Sequence, residues 1–187
     1  MLAAHTMPRV PEAYKPTGPS EGPSVEDLKI ADDEISTAGA AKCLHLTQRA
    51  EQVRISLVQS LDDAFEHLVT QGDADGYHPM IERFKPKFST MTDNLERIIA
   101  RLASLSQPAL ANVVKQVAAK GQSRLDAKLE EQVLRQRLSI TDLEDEERPT
   151  LKAKLGKVTE GLKGQDAAVE ELLEELRAEL ADLDDDE

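Results

Sequence analysis

Residues 77–105 read YHPMIERFKPKFSTMTDNLERIIARLASL. Tyr77, Ile81, Phe84, Phe88, Met91, Leu95, Ile98, Leu102 and Leu105 follow one another by alternating steps of four and three, with Ser, Thr, Asp, Arg and Lys between them. Alternation of that kind places every apolar side chain on one stripe of an α-helix and leaves the opposite face to water, the pattern of a helix packed along a heptad seam. Pro79 suits the first turn, where its missing N–H costs nothing. Pro86 is harder to place, and predicts either a kink or a helix that begins near residue 87.

The same test carries outward in both directions. Leu46, Ala50, Val53 and Leu57, then Leu61, Phe65 and Leu68 after a one-step drift, predict a helix from about residue 41 that stops at Gly72. Downstream, Pro108 marks a helix start, and Leu110, Val114, Val117, Leu125 and Leu129 lead toward Leu138. Gly121 falls on this third stripe, where close approach of a neighbour is the expected reason. A fourth stripe follows Pro149: Leu151, Leu155, Val158, Leu162, Val169, Leu172, Leu176, Leu180 and Leu183, interrupted by Gln165. No segment shows the two-residue alternation of a strand, so the expected fold is all-α. It is an antiparallel helical hairpin or three-helix bundle of coiled-coil character, with an extended N-terminal arm and a C-terminal acidic helix.

Three regions are expected. Residues 1–40 hold Pro8, Pro11, Pro16, Pro19 and Pro23 with few apolar residues, and read as a proline-rich extended arm that cannot offset its ordering entropy alone. Residues 41–140 form the helical domain. Residues 141–187 form an acidic heptad helix and tail, and the narrow stripe on that helix reads as a coiled-coil arm needing a partner or a second copy. Of the chain's net charge of −13, −11 lies in residues 142–187, which carry 17 Asp or Glu against 6 Lys or Arg.

Composition narrows the function. A chain this acidic is repelled by bare nucleic acid and by anionic membranes, so direct nucleic-acid binding is not expected, and no apolar run is long enough to span a bilayer. A lone Cys43 excludes an internal disulfide framework and points to a reducing compartment, in the nucleus, cytoplasm or cilium. The stretch QGDADGYHPMIE at 71–82 has calcium-loop spacing in Asp73, Asp75, Gly76 and Glu82. Gln71 stands where the first acidic ligand belongs, however, His78 stands at the apolar pairing position, and there is no second loop. A hinge between two helices is the better reading. In GKVTEGLKGQ no Lys directly follows the second Gly and no strand precedes it, so a phosphate loop is excluded. The four His are scattered, and one Cys cannot complete a zinc site. No catalytic residues, no metal and no cofactor are expected, and the chain reads as a non-enzyme.

Three segments together carry a resemblance: LTQRAEQVRISLVQSLDDAFEHLV, YHPMIERFKPKFSTMTDNLERIIARLASL and SRLDAKLEEQVLRQRL. Their order and spacing resemble the Required-for-excision 1-B family of small helical proteins associated with DNA repair, over roughly residues 44–140. The resemblance implies a repair pathway and supplies no active residue. The expected function is therefore a helical adaptor or scaffold subunit of a large hetero-complex, using the seam at Tyr77–Leu105 and the stripe at Leu151–Leu183 to pack against protein partners. The heptads and the proline-rich arm also suit an alternative, a coiled-coil subunit of a microtubule-based or ciliary assembly.

Overall fold

The computed structural model describes residues 22–139 and 146–185, with the side chains of residues 182, 184 and 185 left aside. The first half of the expected arm and most of the acidic connection after residue 139 lie outside the described residues. Within them the chain is all-helical, with two short helices, α1 (Val25–Leu28) and α2 (Asp32–Ser36), and four long ones. The long helices are α3 (Ala40–Gln71), α4 (Tyr77–Ser104), α5 (Pro108–Ser139) and α6 (Glu147–Asp185).

Local chemistry sets the ends of these helices. Gly72 takes the left-handed conformation (φ +67°), and the N–H groups of Gly72 and Asp73 donate to the carbonyls of Val69 and Leu68, closing α3 with a Schellman turn. Asp73 then accepts the Gly76 N–H at 2.9 Å, so the acid that suggested a calcium ligand caps the entry to α4. The turn that ends α4 has the same hydrogen-bond pattern, with Ser106 in the left-handed conformation (φ +59°). Pro108 opens α5 directly afterwards. Of the two expectations at Pro86, a helix that begins near residue 87 is corrected: α4 is continuous from Tyr77. Pro86 and Glu82 are both exposed, so the carbonyl that loses its helical donor faces water.

Helix α3 packs on α4, α4 on α5, α5 on α6, and α6 returns to α3. Contacts such as Gln132 with Asp62 and Lys154 with Glu130 show that α3 and α5 run parallel while α6 runs antiparallel to α5. The larger core cluster includes Leu44, Leu57, Ile98, Leu102, Val114 and Leu176; a second, smaller one comprises Val58, Leu61, Ala64, Phe65, Met80, Phe84 and Leu125. A fourth helix therefore joins the bundle, where three were expected. The expectation that α6 needs a partner or second copy is corrected for its C-terminal half. Val169, Leu173, Leu176 and Leu180 are buried in the main core of this same chain, and Leu173, absent from the expected stripe, lies deeper than the half-buried Leu172.

The boundary expected at residue 40 is also corrected. Leu28, Ile30, Ile35 and Ala38 are no more than 6 % exposed and belong to the main core. They form a strap laid over α4. Its apolar spacing matches neither a helix nor a strand, which is why periodicity could not detect it.

Candidate functional site

The seam read from the sequence divides in three dimensions. Ile98 and Leu102 are fully buried between helices, and Leu105 is half-buried at the end of α4. Tyr77 stacks edge-on against Phe65, with ring centroids 5.8 Å apart and planes at 78°, and burial pushes its phenol above the ordinary range. Ile81 and Phe88 are half-buried, and with the buried Phe84, Met91 and Leu95 they line cavities between α4 and α5. One cavity of about 450 Å³ is lined by Phe88, Met91, Leu95, Ile99, Ala118 and Leu125. A second, of about 470 Å³, is lined by Leu61, Ile81, Phe84 and Leu129 and shares Phe88 and Leu125 with the first. Together they make one groove that follows α4 for about 27 Å at the ordinary helical rise.

The floor of this groove holds a charge that sequence reasoning missed. Arg54 lines the first cavity and donates through Nη2 to Glu51, whose side chain is 1 % exposed. Burial pushes the Glu51 carboxyl up, opposed by the Arg54 guanidinium, and burial likewise pulls Arg54 down, opposed by Glu51. In both groups the loss of water outweighs the mutual attraction, as is common for buried pairs. The second carboxylate oxygen, Glu51 Oε1, is buried with no hydrogen-bond partner. Gly121 is what admits the guanidinium between α3 and α5: a Cβ at that position would overlap it. Gly121 on its apolar stripe was thus the one sequence signal of the pair, and its close neighbour is Arg54.

Two other polar constellations flank the groove. Between α3 and α5, Gln132 donates to Asp62 at 2.8 Å, Lys128 bridges Asp62 (3.0 Å) and Glu131 (2.7 Å), and Arg135 pairs with Glu66 while lying 5.1 Å from the Phe65 ring centroid. Burial pulls the Lys128 amine down, and its hydrogen bonds to Glu131 and Asp62 more than restore it, leaving it raised. On the far face of α4, Asn94 accepts the Ile30 N–H at 3.3 Å and donates to the Leu28 carbonyl at 2.7 Å. Arg97 donates to the Ile30 carbonyl at 3.0 Å and pairs with Asp32, and Arg101 donates to the Ala38 carbonyl at 2.8 Å.

The expected partner stripe on α6 is split as well. Leu151 is buried, Leu155, Val158 and Leu162 are half-buried, and the half-buried Leu183 packs against the main core. At the break in the stripe Gln165 donates to Ser123 at 3.2 Å, beside an Arg124–Asp166 ion pair. Cys43 is fully buried, and burial raises its thiol, with Arg101 opposing. Among the described residues no group of three or more His, Cys, Asp or Glu side chains is placed to hold a metal ion, and no described helix is long and apolar enough to cross a membrane.

The groove, its charged floor and the Asn94–Arg97–Arg101 clamp all lie between residues 51 and 129. No curated protein and no solved structure matches the chain. A family comparison does: residues 42–135, half of the sequence, match the DNA repair REX1-B family, and the chain belongs to it.

Proposed function

We propose that the protein is a non-enzymatic helical adaptor in DNA repair, acting in the nucleus, whose α4–α5 groove receives an amphipathic helix of a protein partner. The observation that carries this reading is the pair of adjoining apolar cavities between Ile81 and Ile99, bordered by solvated residues such as Thr92, Lys115 and Gln122. A helix presenting apolar residues at i, i+3, i+4 and i+7 fits a groove of that length, and each large side chain it buries contributes about 1.5–3 kcal/mol before association costs. The net charge of −13 favours a partner with basic flanks over bare nucleic acid. The family match supports the repair association and lends no support to the microtubule-based alternative.

The test replaces groove residues that solvent already reaches. Thr92→Arg with Ala119→Arg, both at exposed positions of the groove, should change folding stability by no more than about 1 kcal/mol. In cells lacking the protein, the same variant should fail to restore resistance to a DNA-damaging agent that the wild type restores. Full restoration by a variant expressed at the wild-type level would remove the groove from the function.

A further inference from the structure

The strap at residues 28–38 is held in an unusual way for a core element. Its two helices have four and five residues, too short to persist without tertiary support. Of the hydrogen bonds that α4 makes to it, those from Asn94, Arg97 and Arg101 reach main-chain groups of Leu28, Ile30 and Ala38, and only the Arg97–Asp32 pair reads a side chain. Contacts to main chain recognise a backbone path whatever its sequence, while apolar sockets and one cation supply selectivity. Asn94 is 1 % exposed beneath the strap, and both of its hydrogen bonds to the strap, to the Ile30 N–H and the Leu28 carbonyl, are shielded from water. All three clamp residues fall inside the family-matched segment 42–135, and the strap falls outside it.

We propose that this face of α4 is a peptide-docking site, distinct from the α4–α5 groove, which the chain fills with its own residues 28–38 and which a protein partner occupies by displacing them. The occupant is a segment with the pattern apolar-x-apolar-x-acidic-x-x-apolar, as in Leu28, Ile30, Asp32 and Ile35, extended at its centre and helical from the acidic position. The strap is the competitor in cis: being tethered at Gly39, it has a high effective concentration and sets the affinity that an incoming segment must exceed. The contacts among α3, α4, α5 and α6 do not pass through the strap.

The experiment uses the full chain and a fluorescent peptide of residues 22–39, read by polarisation. Wild-type chain should bind the peptide weakly. A chain carrying Leu28→Asp and Ile30→Asp, which releases the strap and leaves the clamp intact, should bind at least ten-fold tighter. Adding Asn94→Ala and Arg101→Ala to the released chain should abolish binding, and a peptide with Ile30→Asp should not bind at all. The proposal is overturned if the released chain keeps its helical circular dichroism and binds no peptide. It is equally overturned if release alone unfolds the chain, because the strap is then an obligate part of the core. Hydrogen exchange on the unaltered protein gives an independent readout. The Ile30 amide should exchange at least a hundred-fold faster than amides of Leu57 and Ile98, and equal protection would show that the strap opens only with the whole molecule.

Discussion

At the end of the bundle where the strap and the C-terminal half of α6 meet the other helices, the core is aliphatic. Leu44, Leu57, Ile98, Leu102, Val114 and Leu176 there are shielded completely. At the opposite end only α3, α4 and α5 supply the cluster, while α6 lies along α5 through contacts such as Lys154–Glu130. With one wall fewer, that end uses larger side chains: all three phenylalanines of the chain, Phe65, Phe84 and Phe88, lie in or against its cluster, beside Tyr77. It also closes its α3–α5 side with the polar ladder of Asp62, Glu66, Lys128, Gln132 and Arg135. The contrast teaches that the number of helices meeting at a level decides what seals it. Four walls interlock small aliphatic residues, and three leave spaces that need aromatic rings, charged stems and, on the α4–α5 side, an opening.

The comparison breaks first if α6 is removed. Ending the chain at Ser139 strips Val169, Leu173, Leu176 and Leu180 from the aliphatic end. At about 1.5–3 kcal/mol for each buried side chain, that loss rivals the whole stability of a small domain. Hydrogen exchange should show lost protection at Leu44 and Ile98, with residual protection around Met80 and Phe84. Equal loss at both ends would mean the two clusters are one cooperative unit.

A smaller effect tests the boundary between the ends, where Arg54 passes Gly121. Arg54→Met alone leaves Glu51 buried and unpaired and should cost about 3–5 kcal/mol in denaturant melts. Glu51→Leu combined with Arg54→Met removes both desolvation costs and should return stability to the wild-type level or above. If the double variant is as unstable as the single one, the pair is a necessary part of the packing there.

The smallest effect lies in the polar ladder. The Arg135 hydrogen bond holds the Glu66 carboxyl below its ordinary value of 4.5. A depressed folded value means this contribution is complete above the unfolded value and is lost as pH falls through the folded one. Because Glu66 is half exposed, the contribution should stay below about 1 kcal/mol. Glu66→Gln should therefore lower stability by no more than about 1 kcal/mol at neutral pH, converge with the wild type in acid and so flatten the acid limb slightly; an unaltered acid limb would show that the pair contributes nothing.

Much of the helical content was legible because its cause is local. The steps of four and three from Tyr77 to Leu105, the left-handed Gly72 and the leading Pro108 act within a few residues, and they define α3, α4 and α5 almost to their ends. Of the candidate site, the sequence supplied the groove's α4 wall and, through Gly121, the fact of a close neighbour. It could not supply Arg54 as that neighbour, because a guanidinium on an otherwise apolar face reads as a surface residue until a second helix covers it.

The same limit explains the strap and α6. Leu28, Ile30, Ile35 and Ala38 have no period, and their burial depends on Asn94, Arg97 and Arg101, more than sixty residues away. The stripe on α6 says that some helix must cover it, and nothing in it says which. Amino-acid order by itself determined where the four long helices lie and which of their faces are apolar, since both follow from backbone periodicity. Which face meets which neighbour, and which face stays open, was decided only when the elements competed for the same apolar surface in three dimensions.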